Sequence, residues 1–253
     1  MKKNIKYFFE AILLYIFLII AKLIGLSLSR KLFSFIFKIV GPTIRSNVIT
    51  KKNLLRYSDK LSDQKIKEII SNMWSNYGMT FIEYVFLKKF RNKNLHISIE
   101  GEKILNKIKE KNEPVIFVSG HFANFELMSM EITKKEIKLA TIYRPLNNFF
   151  LNPFMEYLRK KFICKNQIKK GRQSIKEIIN FIDQNHSIAL MIDQRVSEGN
   201  KINFFNKEAH TTTLPAQLAF KFNLKIVPIF IERKEDKYFL MKVYDPFNIS
   251  LYK

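Results

Sequence analysis

Cysteine, glycine, proline and acidic residues are all scarce in this chain of 253 residues. The single cysteine, Cys164, excludes an internal disulfide and any cysteine-rich zinc site. Seven glycines and seven prolines are too few for a fibrous or low-complexity protein. The 22 acidic residues are outnumbered by 44 lysines and arginines, which gives a net charge of +22. The composition therefore indicates a globular, strongly basic chain.

Apolar residues are abundant, because 47% of the chain is hydrophobic and 24 residues are phenylalanine. A chain of 253 residues can form one sizeable domain, or one domain plus an anchor. The basic excess has two explanations. One is an anionic partner, such as anionic lipid, an acidic carrier protein or nucleic acid, and the other is a lysine-rich coding bias on a solvated surface. Charge alone does not choose between them.

The N-terminus carries the longest apolar stretch of the chain. It is interrupted by Lys22, and it reaches the roughly 20 residues that a membrane span requires only if this lysine extends to the lipid surface. Gly25-Leu26-Ser27 is a poor cleavage site, so a signal peptide is not favoured. We interpret residues 5–40 as a retained anchor on the cytoplasmic leaflet, with a single span or a buried core helix as alternatives. Gly41-Pro42 then divides an anchor, 1–40, from a domain, 41–253.

The domain alternates strand-like apolar runs with patterns of helical period. The predicted strands lie at 95–99, 114–118, 138–143, 188–192, 225–232 and 238–244. This alternation predicts an α/β fold with a mixed, mostly parallel sheet flanked by helices on both faces.

A histidine and a carboxylate follow the second of these strands, in Gly120-His121-Phe122-Ala123-Asn124-Phe125-Glu126. Strand ends of this kind are where α/β proteins place their chemistry. Glu126 is expected to bind one nitrogen of His121 and fix its tautomer, which leaves the other nitrogen to take a proton from a substrate hydroxyl. The alternative is a structural pair of His121 and Glu126 beside a packed core.

Further polar residues follow other predicted strands, namely Arg144 and the run Asp193-Gln194-Arg195. The carboxyl ends of parallel strands share one edge of a sheet, so these groups are expected to lie near His121. A base, its orienting acid and fixed cations together indicate a pocket for an anionic or oxyanionic ligand.

An ordered set of short motifs, over residues 65–234 and the N-terminal anchor, resembles the bacterial lipid A biosynthesis acyltransferases, the lauroyl and myristoyl transferase group. The matching positions are His121 and Glu126, Arg144-Pro145, Gly171-Arg172, Asp193-Gln194, Phe204-Phe205, Ala209, Thr211, Pro215-Ala216-Gln217-Leu218-Ala219, Val227-Pro228 and Arg233, with Trp74, Gly78 and Glu83 upstream. Two departures are visible. Asn206 stands where the family often has glycine, and the chain ends soon after Tyr244-Asp245-Pro246, where the family continues into a helical segment.

The resemblance implies a glycerolipid-acyltransferase-like fold at the cytoplasmic face of the inner membrane. It implies transfer of a fatty acyl chain from acyl carrier protein, or less favourably coenzyme A, to a hydroxyl of an anionic lipid A precursor. It implies His121 and Glu126 as catalytic residues, and Arg144, Asp193, Gln194, Arg195, Asn124 and Arg172 as substrate-binding residues. A thioester is already activated, so no metal or other cofactor is expected.

Three alternatives remain open at this point. A glycerophospholipid acyltransferase shares the histidine–acid spacing but usually carries a Glu-Gly-x-Arg block, which is absent here. A phosphatidylinositol mannoside acyltransferase is a closer relative. A non-enzymatic basic protein bound to membrane or nucleic acid would need basic residues interleaved with exposed aromatics. The lysines here are scattered, so nucleic acid is not expected as a partner.

Overall fold

The computed structural model describes residues 2–197, 199–234 and 238–249. These residues fall into two compact units. The helical unit lies within Met1–Phe86 and Ile202–Ala209, and the sheet unit lies within Leu87–Lys201 and His210–Lys253.

The helical unit is built on two long helices that pack against each other. Its elements are α1, Lys2–Ile44, α2, Val48–Tyr57, α3, Asp63–Glu83, and a short 3-10 turn, Tyr84–Phe86. Gly78 allows the close approach of α1 and α3, because a Cβ atom there would lie 2.2 Å from the carbonyl oxygen of Phe33. Arg30 of α1 and Glu83 of α3 form a buried ion pair, with 2.6 Å between Nε and Oε1.

A break divides α1 at Gly25, where φ is 80°. Glycine adopts this left-handed conformation without the steric penalty of other residues. The hydroxyl of Ser29 lies 2.9 Å from the carbonyl oxygen of Ala21 and 2.7 Å from that of Gly25. The buried serine therefore satisfies carbonyl groups beside the break.

The outer surface of α1 is apolar. The segment Lys3–Ile44 is long and apolar enough to cross a membrane, and 17% of its most apolar window is buried. The predicted N-terminal apolar helix is thus present as a candidate membrane anchor. The choice between a span and an anchor on one leaflet, and the division at residue 40, stay predictions.

The sheet unit contains a seven-stranded sheet in the order β1-β9-β8-β2-β5-β3-β4. The strands are β1, Ile97–Glu100, β2, Ile116–Ser119, β3, Leu139–Tyr143, β4, Asn166–Lys169, β5, Ser187–Met191, β8, Ile226–Arg233, and β9, Phe239–Val243. Strands β2, β3, β4, β5 and β8 are parallel, whereas β9 pairs with β8 in the antiparallel sense and β1 runs parallel to β9. The prediction of a mixed, mostly parallel sheet is confirmed.

Helices cover the sheet and complete its core. They are α4, Leu87–Asn92, α5, Glu102–Lys111, α6, Glu126–Lys134, α7, Asn152–Phe162, α8, Ser174–Asp183, and α9, Leu214–Phe222. One apolar cluster joins the sheet residues Ile116, Ile188 and Ile226 to Ile178 of α8 and Leu218 of α9. All four residues of β2 are buried, as expected for a central parallel strand covered on both faces. The sheet can therefore hold the loops at its edge in fixed positions.

A two-stranded ribbon of β6, Asn200–Phe204, and β7, Lys207–Thr211, precedes α9. Its turn places Phe205 at φ 49° and Asn206 at φ 58°. Left-handed geometry at both central residues is typical of a tight hairpin turn, and asparagine tolerates it well. The asparagine at the position where glycine was expected is therefore compatible with the turn.

Candidate functional site

The candidate site lies where two neighbouring parallel strands end. Ser119 of β2 is in register with Met191 of β5, and the amide of Ile192 donates to the carbonyl oxygen of Ser119 at 2.9 Å. His121 and Asp193 each follow these paired residues by two positions. The register of the sheet therefore brings the two side chains together.

Asp193 binds His121 through both of its carboxylate oxygens. Oδ1 lies 2.7 Å from Nδ1 of the imidazole, and Oδ2 accepts a hydrogen bond of 2.8 Å from the backbone amide of His121. A carboxylate at Nδ1 favours the tautomer that carries its proton there, which leaves Nε2 as an acceptor. The side-chain amide nitrogen of Gln194 lies 3.4 Å from Nε2 of His121. The His121 side chain is 32% exposed, so the imidazole is open to solvent.

The electrostatics of the pair favour an ionised Asp193. Burial alone would raise the pKa of this carboxyl group, but the hydrogen bonds from the side chain and backbone of His121 outweigh burial and hold the pKa below its ordinary value. An ionised carboxylate beside Nδ1 stabilises an imidazolium when Nε2 takes up a proton.

Gly120 allows the loop to pass close to Asp193. A Cβ atom at this position would lie 2.8 Å from the ring of Phe122 and 3.2 Å from the carboxyl carbon of Asp193. The amide of Phe122 donates to the carbonyl oxygen of Gly120 at 2.8 Å, which closes a three-residue turn around His121. A larger residue at position 120 would therefore have to displace the ring of Phe122 and would crowd the carboxylate that binds His121.

The structure differs from the prediction on the carboxylate that orients His121. Glu126 begins α6 and is buried, and its Oε1 accepts hydrogen bonds of 2.8 Å from Nε and 2.6 Å from Nη2 of Arg159. The carboxylate beside Nδ1 of His121 is that of Asp193 instead. The sheet register thus places Asp193, and not Glu126, at Nδ1 of His121, while the predicted catalytic role of Glu126 stays a prediction.

Packing around the loop restricts the position of the imidazole further. The ring of Phe125 meets the ring of His121 edge to face, with 4.6 Å between centroids. Asn124 is buried, and its backbone carbonyl oxygen accepts a hydrogen bond of 3.1 Å from the backbone amide of Leu127, in the first turn of α6. Ala123 takes φ 43°, an unusual backbone conformation for alanine. Unusual backbone of this kind is often found at functional sites.

The other predicted site residues follow strands that end at the same edge of the sheet. Arg144 comes directly after β3, and Arg172 lies in the turn between β4 and α8. Gln194 and Arg195 follow Asp193. All four are exposed, so the edge presents guanidinium groups to solvent.

Sequence reasoning assigned no role to Arg159 or Phe125. Arg159 reaches the site from α7, and its only sequence signal was its place on a helix of mixed polarity. Phe125 lies inside the histidine motif, where its apolar character indicated core packing rather than contact with the imidazole. Within the described ranges, no group of three histidine, cysteine or acidic side chains could hold a metal ion.

These features define an α/β protein with an imidazole–carboxylate pair at the carboxyl edge of its parallel strands, an arrangement suited to proton abstraction from a hydroxyl. The chain belongs to the bacterial lipid A biosynthesis acyltransferase family, whose sequence model matches residues 2–252. It is therefore an acyltransferase of lipopolysaccharide biosynthesis, and the predicted family is confirmed. A comparison with curated proteins finds no match.

Proposed function

We propose that this acyltransferase moves a fatty acyl chain from the thioester of acyl carrier protein to a hydroxyl of a lipid A precursor, with His121 as general base. The observation that carries the proposal is the 2.7 Å contact between Nδ1 of His121 and the carboxylate of Asp193. It leaves Nε2 able to accept a proton from the acceptor hydroxyl.

The proposed reaction needs no nucleophile from the protein. As Nε2 takes the hydroxyl proton, the acceptor oxygen forms a bond with the thioester carbon, and a tetrahedral oxyanion develops on the former carbonyl oxygen. The oxyanion collapses, the carbon–sulfur bond breaks, and the imidazolium returns its proton to the leaving thiolate. Asp193 stays ionised and stabilises the imidazolium between these steps.

Glu126 acts in this proposal as a positioning residue. Its double contact with Arg159 ties the start of α6, and with it the end of the His121 loop, to α7. Charge-assisted bonds of this geometry are stronger than neutral ones. Both side chains are largely buried, so loss of either one would remove these charge-assisted bonds from a site with little access to water.

The substrate-binding roles remain those that the sequence suggests. Arg144 contacts the oxyanion or a phosphate of the glycolipid, and Arg172 and Arg195 supply further cations at the same edge. Gln194, which lies beside Nε2, and Asn124, at the start of α6, shape the pocket.

We infer the acyl donor from the net charge of the chain, and the cellular location from the candidate membrane anchor. A net charge of +22 suits an acidic carrier protein and a phosphorylated acceptor. The candidate anchor in α1 suits a membrane-bound acceptor. We place the enzyme at the cytoplasmic face of the inner membrane.

An acyl-transfer assay with the full chain in lipid nanodiscs tests the donor and acceptor together. Each reaction pairs acyl carrier protein or coenzyme A thioester with a lipid A precursor, a lysophosphatidic acid or a phosphatidylinositol mannoside. We expect the highest kcat/KM with carrier-protein thioester and lipid A precursor. Higher kcat/KM with coenzyme A, or with either of the other acceptors, would contradict the proposal.

A further inference from the structure

The helix α2 presents apolar and basic residues to solvent instead of burying them. No residue of α2 is buried, and Val48 and Tyr57 are 71% and 65% exposed. A surface helix of a soluble protein normally buries an apolar stripe, and ten residues are too few for a stable isolated helix in water. The exposed side of α2 therefore lacks the packing that such a helix usually has.

Two polar contacts hold α2 in place. The indole nitrogen of Trp74, in α3, donates to Oδ1 of Asn47 at 2.9 Å, directly before the first turn of α2. The ammonium group of Lys51 binds Asp63, the first residue of α3, at 2.8 Å. These two contacts with α3 fix the orientation in which α2 presents its exposed side to solvent.

The exposed stripe of α2 faces a shallow basic groove. Val48, Lys51, Lys52 and Leu55 follow the i, i+3, i+4, i+7 spacing of one helix face. With Arg56 and Lys207 they line a cavity of about 530 Å³, which we call the basic groove. Apolar side chains stand at the two ends of the helical stripe and lysines in the middle. Such a surface can contact acyl chains and anionic groups together.

The hairpin tip, Ile202–Ala209, adds exposed aromatic rings beside α2 in the same unit. The ring of Phe205 meets Tyr57 at 5.4 Å and Phe204 at 4.5 Å between centroids. Phe204 is 63% exposed and Phe205 is 49% exposed. The turn of the hairpin therefore presents two adjacent aromatic rings to solvent.

Two further observations favour lipid as the contact. The groove and the hairpin tip carry four basic residues, Lys51, Lys52, Arg56 and Lys207. The acidic residues beside them are Glu208 and the Asp63 that binds Lys51, so the surface keeps a net positive charge. The candidate anchor α1 ends just before α2, and its last residues Ile39, Val40 and Ile44 are also exposed. The apolar surface of the anchor therefore continues along the chain into α2.

We propose that the basic groove and the hairpin tip dock on the surface of an anionic bilayer, with a lipid phosphate in the groove and the aromatic rings at the level of the headgroups. Basic residues next to exposed aromatic and aliphatic side chains are the composition of interfacial segments. An acidic protein partner would account for the lysines but not for this continuous apolar surface. The proposal goes beyond acyl transfer, and its test measures lipid contact rather than turnover.

The test measures how fast a neutral, water-soluble maleimide modifies an introduced cysteine in the full chain reconstituted in nanodiscs. The reporter is Ile49→Cys, on α2, and the matched control is Ile175→Cys, on an exposed position of α8. The native Cys164 contributes little background, because burial raises the pKa of its thiol to about 11. The rate measured with the unsubstituted protein is subtracted as the background from Cys164.

We expect the modification of Ile49→Cys to be about tenfold slower in nanodiscs with phosphatidylglycerol than in zwitterionic nanodiscs. Ile175→Cys should react equally in both. High salt should remove most of the difference in the otherwise unchanged protein, because screening weakens attraction to an anionic surface.

A charge variant sharpens the test. Lys52→Gln, Arg56→Gln and Lys207→Gln together should abolish the protection, whereas Lys103→Gln, Lys107→Gln and Lys111→Gln on α5 should not. Equal rates of Ile49→Cys in the two lipids would overturn the proposal. It would also be overturned if an acidic acyl carrier protein, added to zwitterionic nanodiscs, protected this position while anionic lipid did not.

Discussion

The core of the sheet unit and the outer side of α1 in the helical unit differ in how they place their large apolar side chains. In the sheet unit Phe117, Met128 and Phe239 are fully buried, whereas in the helical unit Leu23 is 81% and Phe35 is 63% exposed. Water disfavours exposed apolar surface of this extent, and lipid does not. The comparison teaches that the outer surface of α1 is suited to a membrane, while the packed sheet is the frame that holds the reactive groups.

The largest expected effect separates chemistry from membrane attachment. His121→Ala should lower the rate of acyl transfer by roughly 10³- to 10⁴-fold, the upper range for loss of a general base. Since His121 lies in an open loop of the sheet unit, partition into vesicles and the unfolding midpoint should stay at the levels of the unchanged protein. Both controls are measured on the same preparation, by flotation and by circular dichroism. Turnover close to that of the unchanged enzyme would show that His121 is not the base.

The next effect compares two phenylalanines of different burial. Phe117→Ala, in β2, should lower the free energy of unfolding of the sheet unit by about 3–5 kcal/mol, because it leaves a cavity in the core. Phe35→Ala, on the outer side of α1, should change the stability in detergent by less than about 0.5 kcal/mol. Denaturant titrations followed by circular dichroism measure both changes. Equal losses would mean that the outer face of α1 is packed as tightly as β2.

Six strands of the sheet were predictable because their signal is local, whereas the edge strand β4 was not predicted. Continuous apolar runs such as 114–118 and 188–192 indicate buried strands, and their alternation with helices indicates parallel pairing. The same reasoning placed His121 and Asp193 at one edge of the sheet. The pairing of β2 with β5 was not predictable, because strand order depends on packing over the whole sheet.

The partner of Glu126 shows why side-chain contacts were harder to predict. Glu126 is five residues from His121 and Asp193 is 72 residues away, so local spacing favoured Glu126. The register between β2 and β5 brings Asp193 to His121 instead, because it aligns the residues that follow Ser119 and Met191. Arg159, which binds Glu126, carries no local signal beyond its place on a helix of mixed polarity.

The end of α1 shows a second kind of limit. Gly41-Pro42 predicted the end of the apolar segment, yet the helix continues to Ile44. Gly41 is needed for packing rather than for a turn, because a Cβ atom there would lie 2.2 Å from the ring of Trp74. A glycine in a sequence indicates freedom or close approach, and only the structure shows which one applies.

The most direct test of the central claim compares the two carboxylates near His121 by single-turnover acyl transfer. Asp193→Asn should lower the rate by about 10²-fold, because an amide no longer holds the Nδ1 tautomer or stabilises the imidazolium. Glu126→Ala should also be costly, since it removes the two bonds that tie α6 to Arg159, but Glu126→Gln should restore the rate to within about tenfold. A normal rate for Asp193→Asn, together with a Glu126→Gln variant as inactive as Glu126→Ala, would contradict the assignment of Asp193 as the residue that orients the base.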